Sequence, residues 1–219
     1  KIPLEKILKV TRNIKPVNGR LEKIGSLYNN GIVILDYAHT PDALTTCIKN
    51  IKEQFNLIFI GRLLPEKQVE AILDAFIELR EEFDVALHVV GTGPQSDLVK
   101  ERAHKTPGIY VHGPKFGREA AELLYLADLS VNPGAVGLSI VHCYCLATPV
   151  ITYQGKGKGP DHHPEIEYLK DGINGKFLSP CVDALRTGLR ELLSNPEVRE
   201  EMASNGRRRV LDEYTYALN

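Results

Sequence analysis

Apolar residues in this chain fall into short blocks whose spacing switches between two periods. Leu57-Ile-Phe-Ile-Gly61 is a continuous apolar run, whereas residues 67–82 repeat apolar positions at three- and four-residue steps. The first pattern reads as a buried strand and the second as an amphipathic helix. The alternation continues with strand 85–90, helix 95–105, strand 109–112, helix 117–126, strand 128–132, helix 138–146 and strand 149–153. A loop rich in Gly, Lys and His spans 154–165, Asn174-Gly175 reads as a turn, and helices near 181–194 and 196–213 follow. Upstream, residues 3–10 have helical spacing, Asn18-Gly19 marks a turn, and 21–27 and 31–36 read as strands. Thr40-Pro41-Asp42 then opens a helix running to about Phe55, with Thr40 as N-cap and Pro41 at the first helical position.

Strands alternating with helices predict an α/β fold, a Rossmann-like parallel sheet covered by helices on both faces. Ligands of such sheets bind outside the carboxyl ends of the strands. Loops 37–40, 61–66, 91–94, 113–117, 133–138 and 154–165 are placed there by this pattern.

Composition narrows the class. Of 219 residues, 43% are hydrophobic and 25% charged, which excludes a disordered or coiled-coil chain. No apolar run approaches the ~20 residues of a membrane span. A net charge of −1 argues against a nucleic-acid protein held by bulk charge. Residues 1–55 hold 9 Lys and Arg against 5 Asp and Glu, and the remainder 18 against 23, a shift that suggests two pieces of different origin. Cys47, Cys143, Cys145 and Cys181 show no secretory spacing, so reduced thiols and a cytoplasmic location are expected.

Three strand-to-helix loops carry candidate chemistry. Gly61-Arg-Leu-Leu-Pro-Glu-Lys67 brings Arg62 and Lys67 beside a helix start. Two cations and a helix dipole suit a diphosphate, and a solvated loop with ordinary surface charges has the same sequence. Gly91-Thr-Gly-Pro94 offers Gly91 and Gly93 for close approach to a phosphate or sugar, or for a tight turn. Asn132-Pro-Gly-Ala-Val-Gly-Leu-Ser139 places two glycines and a serine at a helix start, where free N–H groups can meet an anion. It is not a Walker A motif, since no Gly-Lys-Ser/Thr follows.

His142, Cys143 and Cys145, with His162 and His163 nearby, have the composition of a metal site. Their spacing argues against one, because helix positions i and i+2 face apart and no second cysteine pair exists. Both cysteines read as small core residues, and no metal is expected. In Asp36-Tyr-Ala-His-Thr-Pro-Asp42, Asp36 and His39 either contact a nucleotide or metal, or serve as a turn cap and a surface residue.

The order of these words is similar to a known family. Residues 56–219 resemble the C-terminal, donor-binding domain of GT-B-fold retaining glycosyltransferases of family 4. The matching words are LIFIGRLLPEK, LHVVGTGP, YVHGPK, LLYLADLSVNPG, VGLSIVH, TPVIT and EIEYLKDGINGKFL. The resemblance implies sugar transfer with retention from a UDP- or GDP-sugar, without a required metal or other cofactor. It implies that Arg62 and Lys67 hold the donor diphosphate. It also implies that Gly134, Val136, Gly137, Leu138 and Ser139 face the donor sugar and phosphates, with Gly91 and Gly93 alongside. The family commonly carries two glutamates eight positions apart around this turn. Gly134 and His142 stand there instead, and His142 retains the capacity to hydrogen-bond a ribose.

Residues 1–55 resemble something else. VNGRLEKIG and GIVILDYAHTPDAL are similar to Mur ligases that add the third amino acid to a UDP-N-acetylmuramoyl dipeptide. That resemblance implies that Arg20, Asp36 and His39 lie near an ATP site. The fragment lacks the phosphate-binding loop and the substrate domain, so no ligase activity is expected from it. The chain therefore reads as a chimera: a Mur-ligase-like βα appendage over 1–55, then a donor domain over 56–219. The appendage could join the parallel sheet by a right-handed crossover or pack against the domain.

The leading expectation is the donor half of a nucleotide-sugar glycosyltransferase, weak or inactive alone because the acceptor domain is missing. The alternatives are a Mur-type ATP-dependent amino-acid ligase fragment and a non-catalytic α/β scaffold. The expected partner is a nucleotide-sugar, with neither nucleic acid nor a transmembrane segment involved. An unpaired strand edge in 1–55 would favour a homo-oligomer.

Overall fold

The computed structural model describes residues 22–26, 32–35 and 54–215 except 156 and 158, with side chains over 54–212. The chain divides into two compact units, 1–53 and 54–219. In the first, β1 (Glu22–Ser26) and β2 (Ile32–Leu35) pair antiparallel with each other. Arg20, Asp36 and His39 lie outside the described residues, as do the turn at Asn18-Gly19, the helix expected over 3–10 and the helix expected from residue 40 up to residue 53; its expected end at Phe55 is corrected, because Phe55 already stands in a strand.

The second unit alternates strand and helix as the apolar spacing predicts. It runs β3 (Phe55–Ile60), α1 (Val69–Leu79), β4 (Val85–Val90), α2 (Ser96–Lys105), β5 (Ile109–Gly113) and α3 (Gly117–Leu126). It continues with β6 (Leu129–Val131), α4 (Ser139–Cys145), β7 (Val150–Tyr153), β8 (Gly175–Leu178), α5 (Val182–Ser194) and α6 (Pro196–Thr215). The six strands β3–β8 form one parallel sheet in the order β5-β4-β3-β6-β7-β8. Strand order reverses between β3 and β6. The crevice at their carboxyl ends is therefore the topological switch point, where doubly wound sheets bind ligands.

Alternation along each strand feeds two cores. Leu57, Phe59, Leu87, Val89, Leu129, Val131 and Ile151 face one side, with α1 and α5 packed over them. Ile58, Val90 and Val150 face the other, against Leu124 of α3 and Ile140, Val141 and Tyr144 of α4. Both faces of the sheet are thus dry, which a parallel sheet requires.

Two readings of the sequence are corrected. The helix expected over 67–82 begins only at Val69, because Pro65–Lys67 forms a separate 3-10 turn. Gln68 follows that turn with φ 52°, a left-handed conformation that breaks the helix. Gly175, expected in a turn, instead opens β8. A Cβ at Gly175 would lie 2.4 Å from the Val150 carbonyl oxygen, so glycine is what lets β8 approach β7. The outer edge of β8 is covered locally. The Asp171 carboxylate accepts the Phe177 N–H at 2.8 Å, and the Gly172 N–H donates to the Gly175 carbonyl at 2.9 Å.

Candidate functional site

The loops at the switch point are stitched to one another through main chain. Past the ends of β3 and β4, Gly61 N–H donates to Val90 O, Leu63 N–H to Thr92 O and Gln95 N–H to Leu63 O, each at 3.0 Å. Gly91 and Gly93 make this possible. A Cβ at Gly91 would stand 1.8 Å from Gly61 O, and one at Gly93 would stand 2.5 Å from Leu63 O. Both glycines therefore present their Cα faces to protein backbone. The loops after β3 and β6 are joined likewise, by Ala135 N–H to Glu66 O at 3.0 Å and by the Lys67 ammonium donating to Ala135 O. Burial lowers the Lys67 pKa, and the adjacent Glu66 charge partly offsets that.

Beside this seam a cavity of about 690 Å³ opens at the ends of β3, β4 and β5, between α3 and α4. Its apolar floor includes Ile60, Val90, Leu124 and Leu146, and Ala120, Ala121 and Phe116 form one wall. The opposite wall is one stripe of α4. Ser139, His142 and Cys145 recur at three-residue steps and line the cavity, while Ile140, Val141, Cys143 and Tyr144 are buried in the core. This corrects the reading of the two cysteines as a core pair. Cys143 is buried, and burial pushes its thiol up to about 12, whereas Cys145 is exposed at the cavity. Two residues advance a helix by about 200°, so both could not face the core.

Polar groups at the cavity are few. Arg62 is exposed and lines it, without a side-chain ion pair among the described residues. Lys115 also lines it, but its ammonium is held by Glu119 at 2.8 Å. The two cations of the 61–67 loop are thus separated in role: Arg62 faces the cavity and Lys67 faces the turn over 134–139.

That turn is clamped at Val136. Its N–H donates to His162 Nδ1 at 3.1 Å, and its carbonyl accepts the His163 N–H at 2.9 Å. His162 Nε2–H in turn donates to Tyr153 O at 2.9 Å. These partners fix His162 as the neutral Nε2–H tautomer, and burial lowers its pKa in agreement. The Val136 N–H is accordingly committed to protein. Gly137 is flanked by His163, whose ring would lie 3.4 Å from a Cβ placed there. Gly134 is closed: a Cβ would sit 2.1 Å from Glu66 O and 2.3 Å from Lys67 Cα. Leu138 is exposed beside Ser139.

Sequence spacing missed Phe116, Lys115, Thr92 and Cys145 as cavity residues, and His162 as the clamp. The placement of loops 113–117, 91–94 and 154–165 on the ligand edge pointed toward Lys115 and Phe116, Thr92 and His162 without singling them out. A second network also escaped it. His88 Nε2–H donates to Asn56 Oδ1 at 3.2 Å, and His88 Nδ1 accepts His112 Nε2–H at 2.9 Å, across β3, β4 and β5. Burial, then the neighbouring His112, lowers the His88 pKa to about 4. Among the described residues no group of three or more His, Cys, Asp or Glu is placed to hold a metal.

Comparison with known proteins follows this architecture. The family model for glycosyl transferases group 1 matches residues 48–209. An uncharacterized glycosyltransferase of Methanocaldococcus jannaschii is 25% identical over 181 residues, 77% of this chain and 44% of that protein. The GDP-mannose-dependent alpha-(1-6)-phosphatidylinositol monomannoside mannosyltransferase of Mycolicibacterium smegmatis is 28% identical over 199 residues, 82% of this chain and 50% of that protein. The chain thus spans about half the length of these relatives or less. A shorter similarity points elsewhere. The UDP-N-acetylmuramoyl-L-alanyl-D-glutamate–2,6-diaminopimelate ligase 2 of Clostridium acetobutylicum is 49% identical over 63 residues, 29% of this chain and 12% of the ligase. Among solved structures, the C-terminal domain of a glycosyl transferase group 1 protein from Francisella tularensis superposes with a TM-score of 0.61 at 21% identity. It covers 76% of this chain and 90% of that one. Anabaena HepE, solved with UDP-glucose, gives a TM-score of 0.61 at 18% identity, over 80% of this chain and 50% of HepE.

Proposed function

Because the chain belongs to the group 1 glycosyltransferases, we propose that residues 56–219 are the donor-binding half of a retaining nucleotide-sugar glycosyltransferase. The observation that carries this reading is the cavity at the switch point, apolar within and flanked by the guanidinium of Arg62, which has no ion pair among the described residues. Its volume suits a nucleoside. A UDP- or GDP-sugar would place its base in the cavity, its diphosphate at Arg62 and its sugar toward residues 134–139. Relatives use both kinds of donor: one is named for GDP-mannose and another was solved with UDP-glucose.

The chemistry follows from these positions. Breaking the sugar–phosphate bond leaves charge on the diphosphate, and a guanidinium held there by the diphosphate stabilises that charge more than the ground state. Lys67, beneath the turn, adds a second positive charge close by. His142, on the cavity face of α4, offers an imidazole to a ribose hydroxyl. No carboxylate stands at position 134, so sugar contacts from this turn come from backbone, with the His163 ring beside Gly137. Transfer further requires an acceptor held against the donor. Residues 56–219 alone are expected to bind donor and turn over little.

Titration calorimetry with UDP, GDP and their sugar conjugates tests the reading. One nucleoside diphosphate should bind wild type, and Arg62→Ala should weaken it by at least tenfold, the scale of a lost charge-assisted pair. Equal affinity in wild type and Arg62→Ala would sink the assignment of the diphosphate to this edge.

A second reading concerns residues 1–55. Similarity to the amino-acid ligase over a short segment supports a Mur-ligase-derived piece joined to the transferase domain, and the two compact units part between Glu53 and Gln54. ATP-dependent attachment of an amino acid by the purified chain would establish a ligase. Nucleoside diphosphate binding without it would leave the joined-fragment reading.

A further inference from the structure

Phe116 is the most exposed of the large apolar side chains among the described residues, at 80%. It is not a stray surface residue, because it lines the cavity. Its position is set by backbone. Gly113 and Gly117 bracket Pro114-Lys115-Phe116 with φ of 68° and 53°, both left-handed, and neither has a neighbour within 4 Å of where a Cβ would be. These glycines therefore serve conformation and not packing. A residue with a side chain at either position would pay about 1–2 kcal/mol to hold that backbone. The chain thus spends two special conformations to hold a phenyl ring in water at the rim of an apolar cavity. Next to the ring, α3 presents Ala120 and Ala121, side chains too small to cover it. Lys115 is turned to Glu119, so its own ammonium is not free at the rim beside Phe116.

We propose that Phe116 is the base-stacking residue of the donor site: its ring covers the nucleobase of the bound nucleoside diphosphate, whose phosphates reach Arg62. The inference rests on the donor-site reading above and adds the residue that separates a nucleotide from a bare diphosphate. A planar heteroaromatic ring matches the features present. It has two apolar faces for the phenyl ring and the cavity wall, and polar edges for the main chain of 113–117 and for Thr92 at the rim.

The chain contains no tryptophan, so Phe116→Trp creates a single indole reporter at the site. Stacking of a base on that indole should quench its emission on addition of UDP or GDP, with no change on addition of inorganic pyrophosphate. By calorimetry, Phe116→Ala should weaken nucleoside diphosphate binding roughly 5- to 150-fold, the range of base–aromatic stacking. It should leave pyrophosphate binding within twofold of wild type, whereas Arg62→Ala should weaken both ligands. Nucleoside diphosphate binding that Phe116→Ala leaves unaltered, or an indole that never responds, overturns this inference and leaves the donor site standing. Absence of any nucleoside diphosphate binding to wild type overturns both.

Discussion

At position 134 a single missing side chain decides what the site can contain. The family resemblance marks this position for a carboxylate, yet Gly134 lies against Glu66 O and Lys67 Cα. Installing the carboxylate would force the 61–67 loop away from the turn, and with it the Lys67–Ala135 contact. Gly134→Glu is therefore expected to lower stability by about 1–3 kcal/mol through overpacking, and to weaken donor binding instead of improving it. Thermal unfolding and calorimetry on that variant check both effects. Glycine was legible in the sequence as a sign of close approach, but not what approaches. At Gly91, Gly93 and Gly134 the partner is another loop of the same chain. The sequence showed each loop by itself, and their meeting depends on which strands are neighbours.

At the scale of elements, α4 shows how much spacing can reveal. Its apolar positions predict a helix over 138–146, and seven residues of it form. Which face it presents was not legible, because Cys143 and Cys145 are alike in size and polarity. The Tyr144 hydroxyl, which donates to buried Asn174 at 3.1 Å, fixes the rotation, as does Gly206 of α6 packed against the Tyr144 ring. Strand β8 escaped notice because it is four residues long and opens with glycine, a turn signal in isolation. The histidine network of β3–β5 gives a prediction at the same scale. His88 titrates near 6.5 in the unfolded chain and about 4 in the fold. The His88 contribution to native stability should therefore be level above pH 6.5 and fall as pH drops from 6.5 toward 4, since the unfolded state takes up the proton first. Unfolding midpoints measured across that window should decline, and less steeply in His88→Gln. Some slope will persist in the variant, because burial lowers the His112 and His162 pKa values as well.

At the scale of the molecule, the parallel sheet with helices on both faces was readable from the alternation of periods alone. The strand order was not, because local spacing carries no information on which strands pair. That order creates the switch point and brings the 61–67 and 134–139 loops together. The sequence changes resemblance and charge between residues 55 and 56, and the chain divides into compact units 1–53 and 54–219. A chain beginning at Gln54 should consequently fold as a unit, unfold in one cooperative transition and bind nucleoside diphosphate with the affinity of the full chain. Loss of binding, or an insoluble product, would show that residues 1–53 contribute to the fold.

The turn at Asp171 and Gly172 has a consequence for how copies of this domain can meet. A parallel sheet ends in strands whose unpaired main-chain groups act as templates for other chains. On the β8 side, the Phe177 N–H and the Gly175 carbonyl are already taken by that turn. A strand arriving there would first have to displace two hydrogen bonds, one of them to a carboxylate. Addition of a further strand is thus disfavoured at the β8 edge.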